Sequence, residues 1–276
     1  MAITIGGRIK AVGHSDVGCV RTLNEDSYRL DERSGLLIVA DGMGGHDAGE
    51  VASNHVIESM AATLSNGPFS VVEETDNEAT VIEMPQDADG DGPTLDDPPS
   101  PLLTSVRSAV EKANAEVNAL NRERGFDEGS GMGATVVGLW FSDYSTRPVV
   151  FHVGDSRVYR YHRNRLLQVT RDHSMYQQWI DFGGTGRPPA QNIILQAMGP
   201  SENVTPDVAF QEAEAGDIFL ICTDGLSGML TDDMMDRILR SATPDTLEDA
   251  CTLLIEQAKE RGGKDNVTVI LAAVLS

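Results

Sequence analysis

Apolar and polar positions follow two rhythms along this chain. Between residues 102 and 123, Leu103, Val106, Val110, Ala113, Val117 and Leu120 recur three or four apart, which places them on one face of a helix. A helix is also predicted over 48–64. Farther along the pattern turns to strands: "GATVVGLWF" and "PVVFHVGDSRVYRYHRNRLLQV" are β-branched, alternating and broken by turn residues. "GLLIVA", "DSYRL", "DIFLICT" and "NVTVILAAV" add four more strands, and "TDDMMDRILR" and "TPDTLEDACTLLIEQAKERGG" two more helices. The last helix is expected to be capped by Thr243, with Pro244 as its first helical residue. Strands and helices do not alternate as βαβ units, so the expected class is α+β with antiparallel sheets. No internal repeat is present.

Composition narrows the function classes. The 276 residues are 40% hydrophobic, with 43 acidic against 21 basic residues and a net charge of −22. A binder of nucleic acid or of an anionic membrane would present a basic surface, and this balance excludes both partners. Three cysteines, Cys19, Cys222 and Cys251, form no CxxC pair and suit a reducing cytoplasm. The N-terminal "MAITIGGRIK" lacks the apolar core of a signal peptide. Residues 68–101 hold ten acidic residues, no lysine or arginine, and half of the prolines. They are expected to form a disordered insertion between two helices, whose charge suits a solvated spacer, an interaction tail or an autoinhibitory arm that competes with acidic phosphopeptides.

Four aspartates stand at strand ends. Asp41 follows "GLLIVA", Asp224 follows "DIFLICT" and Asp265 precedes "NVTVIL", while Asp155 sits in the turn of "HVGDSRVY". Glu25 and Asp26 open "DSYRL". If the last strand runs antiparallel to the other two, the first three carboxylates meet at one end of the sheet. Two such charges about 4 Å apart repel by about 4 kcal/mol at an effective dielectric of 20. The cluster is relieved by protonation, by lysines or by metal ions, and the nearby basic residues are few: Arg21, Arg157 and Lys264. An all-oxygen set selects hard divalent cations, magnesium or manganese. The glycine-rich "DGMGGH" loop would then attract phosphate through a cation held by its aspartate, with the Gly42 carbonyl as a further oxygen ligand. "DADGDGPTLDDP" opens like a calcium loop, but its twelfth position is Pro98 where a bidentate glutamate is required.

Seven stretches now stand in one order: "SDVGCVRTLNEDSY", "VADGMGGHDAGE", "SGMGATVV", "HVGDSRVYRY", "VTRDHS", "LICTDGLSGML" and "KDNVTVI". In this the chain resembles the bacterial branch of the protein phosphatase 2C (PPM) family of metal-dependent serine/threonine phosphatases. The resemblance implies one phosphatase domain over 1–276, a β-sandwich of two antiparallel sheets flanked by α-helices on both faces. It implies that Asp41 bridges two manganese or magnesium ions, that Asp224 and Asp265 complete the first and that the Gly42 carbonyl serves the second. Glu25 would act on the second metal through water, Asp26 would hold metal-bound waters, and Asp155 would bind a weaker third metal. Arg21 would clamp the substrate phosphate and His46 would protonate the leaving oxygen, after direct attack by a water bridging the two metals. The implied partners are phosphorylated proteins, substrates of an opposing serine/threonine kinase, met by a cytoplasmic monomer. Two rival readings are a catalytically inactive phosphoprotein-binding relative and a small-molecule metallophosphoesterase. The segment after "DHS", "MYQQWIDFGGTGRPPAQNIILQAMGP", departs from the family's longer, acidic flap, which puts substrate choice and the third metal in question.

Overall fold

A computed structural model describes residues 2–44, 48–65, 100–142 and 145–275. In chain order the elements are β1 (Ile3–Ile5), β2 (Ile9–Asp16), β3 (Asp26–Asp31), β4 (Leu36–Met43), α1 (Ala48–Ser65) and α2 (Pro101–Glu123). There follow β5 (Gly133–Ala134), β6 (Val136–Trp140), β7 (Val149–Val153), β8 (Arg157–His162), β9 (Arg165–Gln168) and α3 (Met175–Asp181). The chain closes with β10 (Asp207–Phe210), β11 (Ile218–Cys222), α4 (Asp224–Ser227), α5 (Asp232–Leu239), α6 (Leu247–Glu260) and β12 (Val267–Val274). One sheet has the order β1-β2-β12-β11-β8-β9 and the other β10-β7-β6-β4-β3, with β5 paired to β4. Every pairing is antiparallel.

Three apolar layers hold the sandwich together. Leu37 and Val39 of β4 face Ile270 and Ala272 of β12 between the sheets. On the other face of β4, Leu36, Ile38 and Ala40 pack with Val56 and Met60 of α1 and Val106 and Val110 of α2. The outer face of β12, through Val267, Val269, Leu271 and Ala273, packs with α5 and α6. Strands covered on both faces need no polar alternation, which is why "LLIVA" and "VILAAV" read as unbroken apolar runs. The α+β sandwich with outer helices is therefore the observed fold.

Some boundaries differ from expectation. The last helix begins at Leu247, with Thr246 as its N-cap residue. Thr243 and Pro244 belong instead to a preceding turn, in which the Thr246 amide donates to the Thr243 carbonyl at 3.0 Å and the Thr243 amide to Thr246 Oγ1 at 2.9 Å. Pro101, the last residue of the acidic segment, is already the first residue of α2, a position that suits a residue with no amide hydrogen. Residues 68–99 of that segment lie outside the described residues. The helical stripe of α2 also carries buried Asn114, Asn118 and Asn121, whose amide groups bond the backbone of Gly199 and Met132. The segment after Ser174 carries the short α3, capped by the Ser174 side chain. Among the described residues no helix is long and apolar enough to cross a membrane.

Candidate metal and phosphate site

The antiparallel pairing of β11 with β12 returns Asp265, just ahead of β12, to the end of β11, where Asp224 opens α4. In the other sheet Asp26 of β3 lies opposite Asp41 of β4. β7 and β8 belong to different sheets, so the Gly154–Ser156 connection crosses the mouth of the sandwich and carries Asp155 with it. The result is a cleft of about 280 Å³ lined by Arg21, Glu25, Asp41, Gly42, Asp155, Asp224 and Asp265, with Thr135, Asn192 and Ile194 completing its wall. The expected convergence occurs, but it is made by the edges of two sheets. Asp26 lies behind the lining, buried, and its Oδ2 accepts from Thr268 Oγ1 at 2.7 Å and Thr223 Oγ1 at 3.0 Å. His46 lies outside the described residues.

The cleft is electrostatically overloaded. Burial is the main cause raising the carboxyl of Asp41 well above the usual range, reinforced by the charges of Asp26, Asp224 and Asp155. Burial, with Asp265 beside it, also raises Asp224, partly offset by a hydrogen bond with Asp41. Asp155 is pushed up to about 7, first by burial and then by Asp224 and Asp172. Asp26 reaches about 7 by burial, against the two threonine hydroxyls that favour its ionised form. Arg21 places Nη2 2.7 Å from Asp265 Oδ2, and Arg157 is committed to Asp172 through bonds of 2.8 and 2.6 Å. One half-exposed guanidinium does not balance so many carboxyls.

The donor set fits divalent cations. Glu25 Oε1 and Asp26 Oδ1 are buried without a hydrogen-bond partner, although buried polar atoms are ordinarily paired. A cradle is kept open for the glutamate: a Cβ on Gly49 would strike the Glu25 carboxylate, and one on Gly42 would strike the carbonyls of Gly49 and Glu25. Oxygen donors only, with excess negative charge, suit magnesium or manganese.

Several holding residues escaped the sequence reading. The Asp41 amide donates to Thr135 Oγ1 at 3.1 Å and the Thr135 amide to the Asp41 carbonyl at 2.8 Å. Asn266 Oδ1 accepts the Glu25 amide at 2.8 Å, while its Nδ2 donates to the carbonyls of Val17 and Leu23. This one side chain fixes both ends of the loop that carries Arg21. The available signal was a polar residue inside or beside an apolar strand, as in "GATVV", "ICTDG" and "DNVTVI". Away from the cleft, His152, His173 and Asp207 form a further group of metal-ligand type.

The sequence profile of protein phosphatase 2C matches residues 19–264. The chain belongs to the protein phosphatase 2C family. It is 34% identical over 273 residues to the serine/threonine protein phosphatase PstP of Mycobacterium tuberculosis, covering 97% of this chain but only 45% of that protein's length. It is 31% identical over 265 residues to the serine/threonine phosphatase stp of Listeria monocytogenes, covering 93% of this chain and 92% of that one. Among solved structures, the catalytic domain of PstP in complex with two manganese ions superposes with a TM-score of 0.76 at 32% identity, over 98% of this chain and 99% of that one.

Proposed function

We propose that this chain is a metal-dependent protein serine/threonine phosphatase acting on phosphorylated proteins. The observation that carries the reading is the meeting of Asp41, Asp224, Asp265 and Glu25 around one cleft with Arg21 at its edge. Asp41, Asp224 and Asp265 would hold one cation, and Asp41 with the Gly42 carbonyl and Glu25 a second, with Asp155 available to a weaker third. When bound, two divalent cations supply a water acidified enough to attack phosphorus at neutral pH and offset the charge of the phosphoryl oxygens. Asp26, fixed through Oδ2 with Oδ1 buried and unpaired behind the cleft lining, would hold water bound to the cations. Arg21, in the cleft lining and bonded to Asp265, would take two phosphoryl oxygens with its planar fork. His46 is assigned the proton for the departing serine or threonine oxygen. No side chain is asked to form a covalent intermediate.

The kinship with PstP and stp, both named serine/threonine phosphatases, supports the substrate class; a role opposite a serine/threonine kinase, as one phosphatase domain in the cytoplasm, is part of the same proposal. Hydrolysis of a phosphothreonine peptide, measured with manganese, with excess EDTA and with Asp41→Asn, tests the reading. Turnover that needs manganese and disappears in both controls is expected. A folded protein without turnover under any condition would overturn it.

A further inference from the structure

His152, His173 and Asp207 bring ligand-type atoms within 4.8 Å of one another, and none of the three lines the cleft. Their hydrogen bonds argue against a metal there. His152 Nε2 lies 2.8 Å from the Arg171 carbonyl and must donate to it. His173 Nδ1 accepts the Gly154 amide at 3.3 Å, which leaves its proton on Nε2, 3.3 Å from Asp207 Oδ2. A metal-bound imidazole donates through its second nitrogen, whereas His173 accepts at Nδ1. The group is organised as a hydrogen-bonded bracket.

That bracket grips the residue preceding Asp155. His173 and Gly154 are joined twice, since the His173 amide also donates to the Gly154 carbonyl at 2.9 Å. Gly154 has φ of +110°, a conformation open mainly to glycine, and it is buried against Thr135. A buried amide left without an acceptor is costly, so the imidazole selects the orientation of the Val153–Gly154 peptide, while the next peptide, leading into Asp155, is held through the Gly154 carbonyl by the His173 backbone amide. The other side of the turn is braced by the Arg157–Asp172 pair and by the Val158 amide donating to Thr170 Oγ1 at 3.0 Å. The same histidine reaches the cleft wall: its carbonyl accepts the Leu195 amide at 2.6 Å, and the next amide, that of Met175 beyond Ser174, donates to Ile193 at 2.9 Å. Ile194 and Asn192 line the cleft beside Asp155.

We infer that His173, held as the Nε2–H tautomer, is a positioning residue for phosphoryl transfer that fixes the Asp155 turn and ties it to the 192–195 wall. The inference rests on the phosphatase reading of the cleft for its effect on turnover, but not for its structural content. Two substitutions separate the bonds. In His173→Asn the amide oxygen can replace Nδ1 as acceptor for Gly154, whereas in His173→Gln the amide nitrogen can replace Nε2–H and the acceptor is lost.

Long-range nitrogen NMR of the metal-free protein should show His173 as the Nε2–H tautomer. Exchange of the Gly154 amide should be about as slow in His173→Asn as in the parent and about tenfold faster in His173→Gln. With manganese and a phosphothreonine peptide, His173→Gln should lose about tenfold in kcat at nearly unchanged KM, and His173→Asn less than about threefold. An Nδ1–H tautomer, equal protection of Gly154 in both variants, or equal kcat losses would overturn the inference. If His173→Gln fails to fold, the parent tautomer and the His173→Asn exchange and kcat decide. If the parent itself has no turnover, the phosphatase reading falls, while the tautomer and exchange still judge the bracket.

Discussion

Asp155→Asn tests the electrostatics of the cleft against a definite sign. The Asp155 side chain belongs to a residue only 9% exposed, and burial, then Asp224 and Asp172, lift its pKa from the ordinary 3.8 to about 7, with Arg157 pulling the other way. In the unfolded chain the same carboxyl ionises near 4. The folded state therefore keeps a proton that the unfolded chain loses as pH rises. The associated stability is fully present below about pH 4, falls between about 4 and 7, and is flat above. That elevation corresponds to on the order of 4 kcal/mol, and water entering the cleft reduces it to about 2–4 kcal/mol. An asparagine cannot ionise, so in EDTA the variant should melt higher than the parent at pH 8, by about 5–15 °C for a domain of this size. At pH 4 the two should melt together. On the proposed role of Asp155 in holding a weaker third ion, manganese should reverse the order at pH 8, because the parent would gain more by mass action. Differential scanning calorimetry from pH 4 to 8, with EDTA and with manganese, reads both effects. Melting differences in EDTA that stay constant across this range would refute the reasoning.

Two further substitutions probe the cradle and the phosphate grip. Alanine normally favours a helix over glycine by about 1 kcal/mol, but Gly49→Ala places a methyl on the Glu25 carboxylate. It should weaken manganese binding by about tenfold in a calorimetric titration, and unchanged affinity would dismiss the cradle. Arg21→Lys keeps the charge and loses the fork. It should raise KM for a phosphopeptide by about tenfold, with a small change in kcat. Because the Arg21–Asp265 pair is half exposed, the melting temperature should move by no more than about 1 kcal/mol would produce.

Much of this molecule could be read from local pattern. The unbroken apolar runs of β4, β11 and β12 announce strands buried on both faces, and the three-and-four spacing of α2 announces its packed side. The aspartates that follow or precede those runs were legible as a candidate cluster, because a carboxylate at a strand end needs a reason to stay there, and the structure brings them to one cleft. The Thr243 cap failed because a Thr-Pro-Asp-Thr turn satisfies the same local bonding without being helical. The buried Asn114, Asn118 and Asn121 of α2 lie outside that apolar pattern, because their amides serve the 199–200 turn and Met132, partners that periodicity does not encode.

The distances that matter span the chain. Asp26 is held by hydroxyls 197 and 242 residues away, and Glu25 by an asparagine 241 residues away. Asp155 reads as an ordinary turn residue until β7 and β8 are assigned to different sheets. Local residue pattern by itself determined most of the strands, the four longer helices and the excess of carboxylates, since those depend on near neighbours and on composition, whereas β1, β2, β10, α3 and α4 went unread. Which carboxylates share one cleft, which threonine or histidine fixes each, and how far burial lifts their pKa values were decided only by the tertiary structure. The reason is that electrostatic coupling depends on separation in space and on exclusion of water, and neither is a property of position along the chain.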